Sequence, residues 1–125
     1  MRLYSGPLSM FGMKAEIALR EKAIPFELTM VAYDRNRGYE PKHPDVLRIN
    51  PKRQVPVLVD GALEIFDSTQ IFEYLEDIAP EPRLWPGAAQ DRGRASLLFT
   101  TYAKETAIVV VLTAGGGVGF YTYTT

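Results

Sequence analysis

Apolar positions in the first part of the chain recur with two different periods, and each change of period marks a new element. Arg2–Ser5, RLYS, predicts a short β-strand. Phe11, Ala15, Ala18 and Leu19 then recur at helical spacing, with Lys14, Arg20 and Glu21 available for the wet side. From Pro25 to Val31 the period returns to two, with Phe26, Leu28 and Met30 on one face and Glu27 and Thr29 on the other, the pattern of a half-buried strand. Tyr33–Pro44, YDRNRGYEPKHP, is polar and punctuated by Gly and Pro, which reads as a loop. Asp45–Asn50 predicts one short helical turn. Val57-Leu58-Val59 and Leu63-Glu64-Ile65-Phe66 flank Asp60-Gly61, a dipeptide that supplies the positive φ angles of a type I′ hairpin. Asp67–Ile78 predicts a helix, with Ile71, Leu75 and Ile78 on one stripe, Asp67 and Gln70 spaced as a capping box, and Pro80 beyond its end.

The order βαβ, short helix, ββα implies an α/β class with a mixed sheet: a parallel crossover unit joined to an antiparallel hairpin, with helices on the faces. That is a thioredoxin-like arrangement, expected over residues 1–79. Ala79–Asp91, APEPRLWPGAAQD, is proline-rich, and residues 80–91 read as a linker. From Arg92 the pattern turns helical again, which marks residues 92–125 as the start of an all-α region. Ala107–Thr125, AIVVVLTAGGGVGFYTYTT, does not continue an amphipathic helix: it has no charge, a β-branched run and three consecutive glycines. It is too short and too glycine-broken for a membrane span, which needs about 20 apolar residues, and being uncharged and free of Pro it carries an aggregation risk.

Composition narrows the chemistry. The 125 residues have material for one domain, or one domain plus a fragment of another. A net charge of -1 and a pI near 5.8 argue against a nucleic-acid surface, which needs a clustered basic face. Cysteine is absent, so thiolate nucleophiles, CxxC redox chemistry and Cys-based metal sites are excluded, and any thiol must arrive with a ligand. The single histidine, His43, makes a multi-histidine metal site impossible. The N-terminus, MRLYSGPLSM, has no long apolar core and does not read as a signal peptide, so a cytoplasmic protein is the expectation.

Three stretches, SGPLSMFGMKAEIALREKAIPFE, NPKRQVPVLVDG and IFDSTQIFEYLED, follow one another at a spacing that resembles the N-terminal domain of soluble glutathione transferases. The resemblance spans roughly residues 1–98 and implies glutathione as co-substrate, with no metal. In such proteins the bond before the proline matching Pro56 is cis, which turns Val55 outward. Its N–H and C=O then pair with the cysteinyl backbone of glutathione as one more strand would. A plain trans proline at a strand start is the other reading of these residues. Asp67 and Ser68 match the pair that holds the γ-glutamyl group: the serine hydroxyl and helix-start N–H groups take the carboxylate, and the acid meets the α-amino group. Simple helix capping accounts for the same pair and is compatible with binding. Many relatives carry Glu where this chain has Asp67.

Ser9 matches the residue whose hydroxyl, in serine-type members, donates to the glutathione sulfur. A donor beside a helix N-terminus favours thiolate over thiol and lowers a pKa that starts near ~8.5. Ser5 and Tyr4 are competing donors, and a loop or capping serine is the bland alternative for Ser9. Arg53 and Gln54 stand where relatives carry polar residues that reach the glycine end of glutathione. Lys42 and His43 are weaker candidates for the same carboxylate. Complete relatives add an all-helical domain that supplies the electrophile pocket and much of the homodimer surface, and their thiolate attacks a small electrophilic carbon. The expectation here is a truncated chain with the glutathione half present and the electrophile half largely missing, binding glutathione weakly and conjugating poorly. Two other readings remain open: a non-catalytic transferase-like module, as in elongation factor gamma or the stringent starvation protein that contacts RNA polymerase, and a truncated product without activity.

Overall fold

The computed structural model describes residues 1–101, 108–113 and 117–122 of the chain, with side chains through residue 97. The first strand, β1 (Arg2–Ser5), leads into α1 (Met10–Glu21), and β2 (Glu27–Met30) returns parallel to β1. After a loop and α2 (Pro44–Ile49), β3 (Val57–Asp60) and β4 (Leu63–Phe66) form the predicted hairpin, followed by α3 (Ser68–Ile78). The sheet order is β2-β1-β3-β4, mixed as the pattern implies, and the fold is thioredoxin-like.

Strand register divides the apolar residues between two faces. In the antiparallel β1–β3 pair Leu3 lies opposite Leu58 and Tyr4 opposite Val57. Because successive side chains point to opposite sides of a strand, Leu3 and Leu58 enter a core with Ala15, Ala18 and Leu19 of α1 and Ile71, Phe72 and Leu75 of α3. Tyr4 and Val57 turn instead to Val31 and to Val46 of α2. The Tyr4 hydroxyl donates to Asp45 Oδ2 at 2.8 Å, which ties α2 to the sheet.

Several sequence expectations change in three dimensions. Lys14, expected on the wet side of α1, is only 5% exposed because the start of α3 covers it. Ile78, expected on the buried stripe, is 46% exposed, lying at the last residue of α3. Leu28 and Met30 are exposed because β2 is an edge strand. The hairpin turn is Gly61-Ala62, closed by the Asp60–Leu63 pair, with positive φ at Gly61. Asp60 and Ala62 do not share it, so the turn follows the II′ pattern, which requires the left-handed conformation at the first central residue alone.

The proline-rich connector is packed against the domain. Leu84 and Trp85 are buried in the main core, and Trp85 meets Phe72 edge-on with ring centroids 4.8 Å apart. Lys22, its side chain fully buried, pairs with Glu76 at 2.7 Å and donates to the carbonyl oxygens of Ala79 and Pro82. Glu76 in turn accepts the N–H groups of Leu84 and Trp85. A buried ion pair is tolerable when hydrogen bonds satisfy both charges, and here those bonds hold the strap in place. Helix α4 (Ala89–Thr101) starts three residues before the predicted Arg92. Within the apolar tail, β5 (Ile108–Thr113) and β6 (Gly117–Thr122) pair antiparallel. Ala107, Ala114, Gly115, Gly116 and residues 123–125 of that stretch lie outside the described residues.

Candidate functional site

Loop Gly6–Ser9 joins the central strand to α1, so Ser9 sits at the mouth of the sheet. Its Oγ accepts the N–H of Gly12 at 2.9 Å and caps the helix. A hydroxyl that accepts through a lone pair keeps its proton to donate. Gly12 lies so close to β1 that an added Cβ would stand 2.0 Å from Ser5 Oγ and 3.1 Å from Ser9 Oγ. Ser5 is therefore buried behind the helix, 2% exposed, while the Tyr4 hydroxyl is engaged with Asp45.

The segment from Asn50 to Pro56 forms the facing wall. Asn50 is buried and organises it: Oδ1 accepts the Lys52 N–H at 2.9 Å, Nδ2 donates to the Gln54 carbonyl at 2.7 Å, and the backbone carbonyl accepts from Arg53 at 2.8 Å. Arg53 adopts φ 59, a left-handed conformation in which glycine carries no steric penalty. The Val55-Pro56 bond is cis, and the β1–β3 ladder ends at Val57. Asn50 was missed as a site residue, although Asn at the head of NPKRQVP is a local turn former whose side chain bonds the backbone two residues on. Asn50→Ala leaves the Lys52 N–H and the Gln54 carbonyl without these partners. Its expected cost is about 2 kcal/mol, read as a lower urea midpoint at unchanged m-value, with Asn50→Asp, which keeps the acceptor, losing less.

Ser9, Arg53, Gln54 and Val55 come together around one cleft of about 280 Å³, with Phe11, Val31 and Val46 as apolar lining and Tyr39, Lys42 and His43 completing it. Pro56 is buried behind this surface. His43 Nδ1 accepts the Asp45 N–H and caps α2, which leaves its ring proton on Nε2. Among the described residues no group of three or more His, Asp or Glu side chains is placed to hold a metal ion.

Asp67 and Ser68 do not line this cleft; Lys52, the residue before Arg53, places its Nζ 3.8 Å from Asp67 Oδ2 at the start of α3. Asp67 caps α3 by accepting the Thr69 N–H at 3.0 Å, and it does so at φ 75. A non-glycine residue held there costs of order 1–3 kcal/mol, a feature common at ligand sites. Ser68 is buried at the first turn. Lys14 reaches across from α1 and donates to Thr69 Oγ1 at 3.1 Å. Burial pushes its ammonium down to about 8, and the negative charge of Asp67 partly opposes that fall. Lys14 and Lys52 thus flank the helix start with positive charge. The pattern of α1 concealed Lys14, since a lysine in an amphipathic helix reads as solvated.

The thioredoxin-like sheet, with Ser9 capping its first helix and a cis bond before Pro56, has the form of a glutathione-transferase N-terminal domain. Residues 3–83 match the family model for the glutathione S-transferase N-terminal domain, and the chain belongs to that family. It is 38% identical over 99 residues to a stringent starvation protein A homolog of Coxiella burnetii, covering 79% of this chain and 44% of that protein. It is 42% identical over 92 residues to glutathione S-transferase 1 of Dianthus caryophyllus, covering 74% and 40%. A glutathione S-transferase crystal structure from Methylobacterium radiotolerans, in complex with glutathione sulfonate, matches with a TM-score of 0.66 at 33% identity, covering 76% and 42%. The chain spans less than half the length of these relatives.

Proposed function

We propose that the chain binds glutathione between Ser9 and Val55 and holds its sulfur as a thiolate, the sulfur-activating half of a glutathione transferase. The observation that carries this reading is the convergence of Ser9, Arg53, Gln54 and Val55 on one cleft. The cysteinyl backbone pairs with Val55 beyond the end of the ladder. The γ-glutamyl carboxylate meets the Ser68 hydroxyl and the helix-start N–H groups, favoured by the helix dipole and by Lys14 and Lys52. Asp67 takes the ammonium, and Arg53 the glycine carboxylate. Ser9 donates its free proton to sulfur, so the thiol loses its proton to solvent more readily. With an electrophile, the thiolate lone pair forms a C–S bond while the electrons of the bond broken at carbon leave on the displaced group. The electrophile site and homodimer of complete relatives would complete that chemistry, in a cytoplasmic setting.

Calorimetric titration with glutathione tests the reading. Asp67→Asn keeps the cap and removes the charge, and it is expected to weaken binding roughly tenfold, the loss of one charge-assisted hydrogen bond. Ser9→Ala is expected to leave affinity nearly unchanged and to raise the pKa of the bound thiol. The similarity to a stringent starvation protein A homolog favours a second reading, a transferase-like binding module without conjugating activity. Absence of any glutathione binding, or binding that leaves the thiol pKa near its free value of ~8.5, would select that module; binding with a lowered thiol pKa supports the sulfur-activating reading.

A further inference from the structure

The loop that carries Ser9 is held from outside its own element. Tyr39, from the segment between β2 and α2, accepts the Leu8 N–H on its Oη at 3.0 Å. Its ring lies flat enough on the loop that a Cβ at Gly6 would stand 2.6 Å from Tyr39 Cε1 and 2.8 Å from Cζ and Oη. Between those two contacts, the Ser9 N–H donates to the Gly6 carbonyl at 3.0 Å. The ring is itself braced. Tyr33 meets it edge-on with centroids 5.1 Å apart, and it packs against the cluster of Tyr4, Val31, Val46 and Val57. The preceding Asp34–Gly38 turn is closed by paired backbone bonds and by Asp34 Oδ1, which accepts from Asn36 and Arg37. Tyr39 and Ser9 then appear on the same cleft.

We propose that Tyr39 is a positioning residue for the sulfur site: its hydroxyl and ring fix the Gly6–Ser9 loop and so set where the Ser9 hydroxyl points. This inference rests on the glutathione reading above. A loop with one backbone N–H tied to a neighbouring element and one glycine pressed under a ring has little freedom to reorient, which is what a donor aimed at a developing anion requires. The Leu8 N–H is near solvent, Leu8 being 55% exposed. Loss of the phenol oxygen therefore changes stability little, because water replaces it.

The test uses the full chain with bound glutathione and follows thiolate ultraviolet absorbance against pH. Tyr39→Phe, which keeps the ring and removes the acceptor, is expected to raise the pKa of the bound thiol by about one pH unit, comparable to losing one hydrogen bond to sulfur. Gly6→Ala, which displaces the ring and leaves its hydroxyl, should shift it in the same direction. The double variant Tyr39→Phe/Ser9→Ala should match Ser9→Ala alone, since Tyr39 acts through Ser9. An unchanged pKa in Tyr39→Phe overturns the proposal, and so do additive shifts, which would make the phenol an independent donor. No thiolate band in the unmodified protein overturns the glutathione reading and this inference with it, whereas a normal band with a silent Tyr39→Phe overturns the inference alone.

Discussion

Gly12→Ala is expected to lower the thermal midpoint by roughly 10 °C, although alanine is the better helix former. The added methyl would stand 2.0 Å from Ser5 Oγ and 3.0 Å from Ser5 Cβ, inside contact distance of a strand residue only 2% exposed. Rotating the serine moves its oxygen but not its Cβ, so α1 and β1 must separate. Overpacking of this severity costs ~3 kcal/mol, against which helix propensity returns ~1 kcal/mol. The remaining ~2 kcal/mol corresponds to about 8–16 °C in a domain of this size. Adding Ser5→Gly removes both clashing atoms and should recover much of the loss, so the two changes are coupled and not additive. A midpoint within a few degrees of the unmodified protein would show that the helix and strand are not in the close contact described. The damage also reaches the site, because the Gly12 N–H is what the Ser9 hydroxyl accepts.

Lys14→Met is expected to act in the opposite sense on stability. The Lys14 ammonium falls from 10.5 to about 8 in the folded chain, chiefly through desolvation. Below pH 8 it is charged in both folded and unfolded chains, and the full penalty of burying that charge is present. Between about 8 and 10.5 the folded protein has released the proton while the unfolded chain still binds it, so stability rises with pH across that window. Methionine has a similar length and no charge to desolvate. The variant should therefore be more stable at pH 7 by roughly 2–3 kcal/mol, and the difference from the unmodified protein should vanish as pH approaches 10.5. Urea unfolding of both proteins at several pH values measures this directly. A difference that stays constant with pH would mean that Lys14 is not the titrating group. The same substitution should weaken glutathione binding, because it removes a cation from the α3 start while leaving Asp67 in place.

Much of the architecture was legible because short-range patterns carried it. The alternation in VPVLVD and LEIF, the helical spacing of Ile71 and Leu75 and the cap at Asp67 each depend on neighbours within a few residues, and each appears where the pattern placed it. The turn was misplaced by one residue because Asp-Gly suits more than one hairpin register, and pairing with β1 decides among them. The pattern of residues 80–91 marks a linker without showing that it docks, because prolines and a lone Trp look alike whether exposed or packed. Its attachment depends on Lys22 and Glu76, which come from two different helices. Of the site, Ser9, Arg53, Gln54 and Val55 were recognisable as candidates, whereas Lys14, Asn50 and Tyr39 looked like an exposed lysine, a turn residue and a loop tyrosine.

By itself, then, the sequence determined the element order of residues 1–79, the class of their sheet, the absence of any thiol of its own and the stretches on which a glutathione site could stand, but not the β5–β6 pairing in a region it marked as all-α. Periodicity, capping and composition are local quantities, and they survive translation into one dimension. The tertiary structure decided which charges are buried and which loops hold one another. Lys14 changes its protonation behaviour only because α3 closes over it. Tyr39 matters to the Ser9 loop only because the chain folds so that residues 31 positions apart share a hydrogen bond. Desolvation and orientation come from neighbours distant in sequence, and no pattern within a single segment records them.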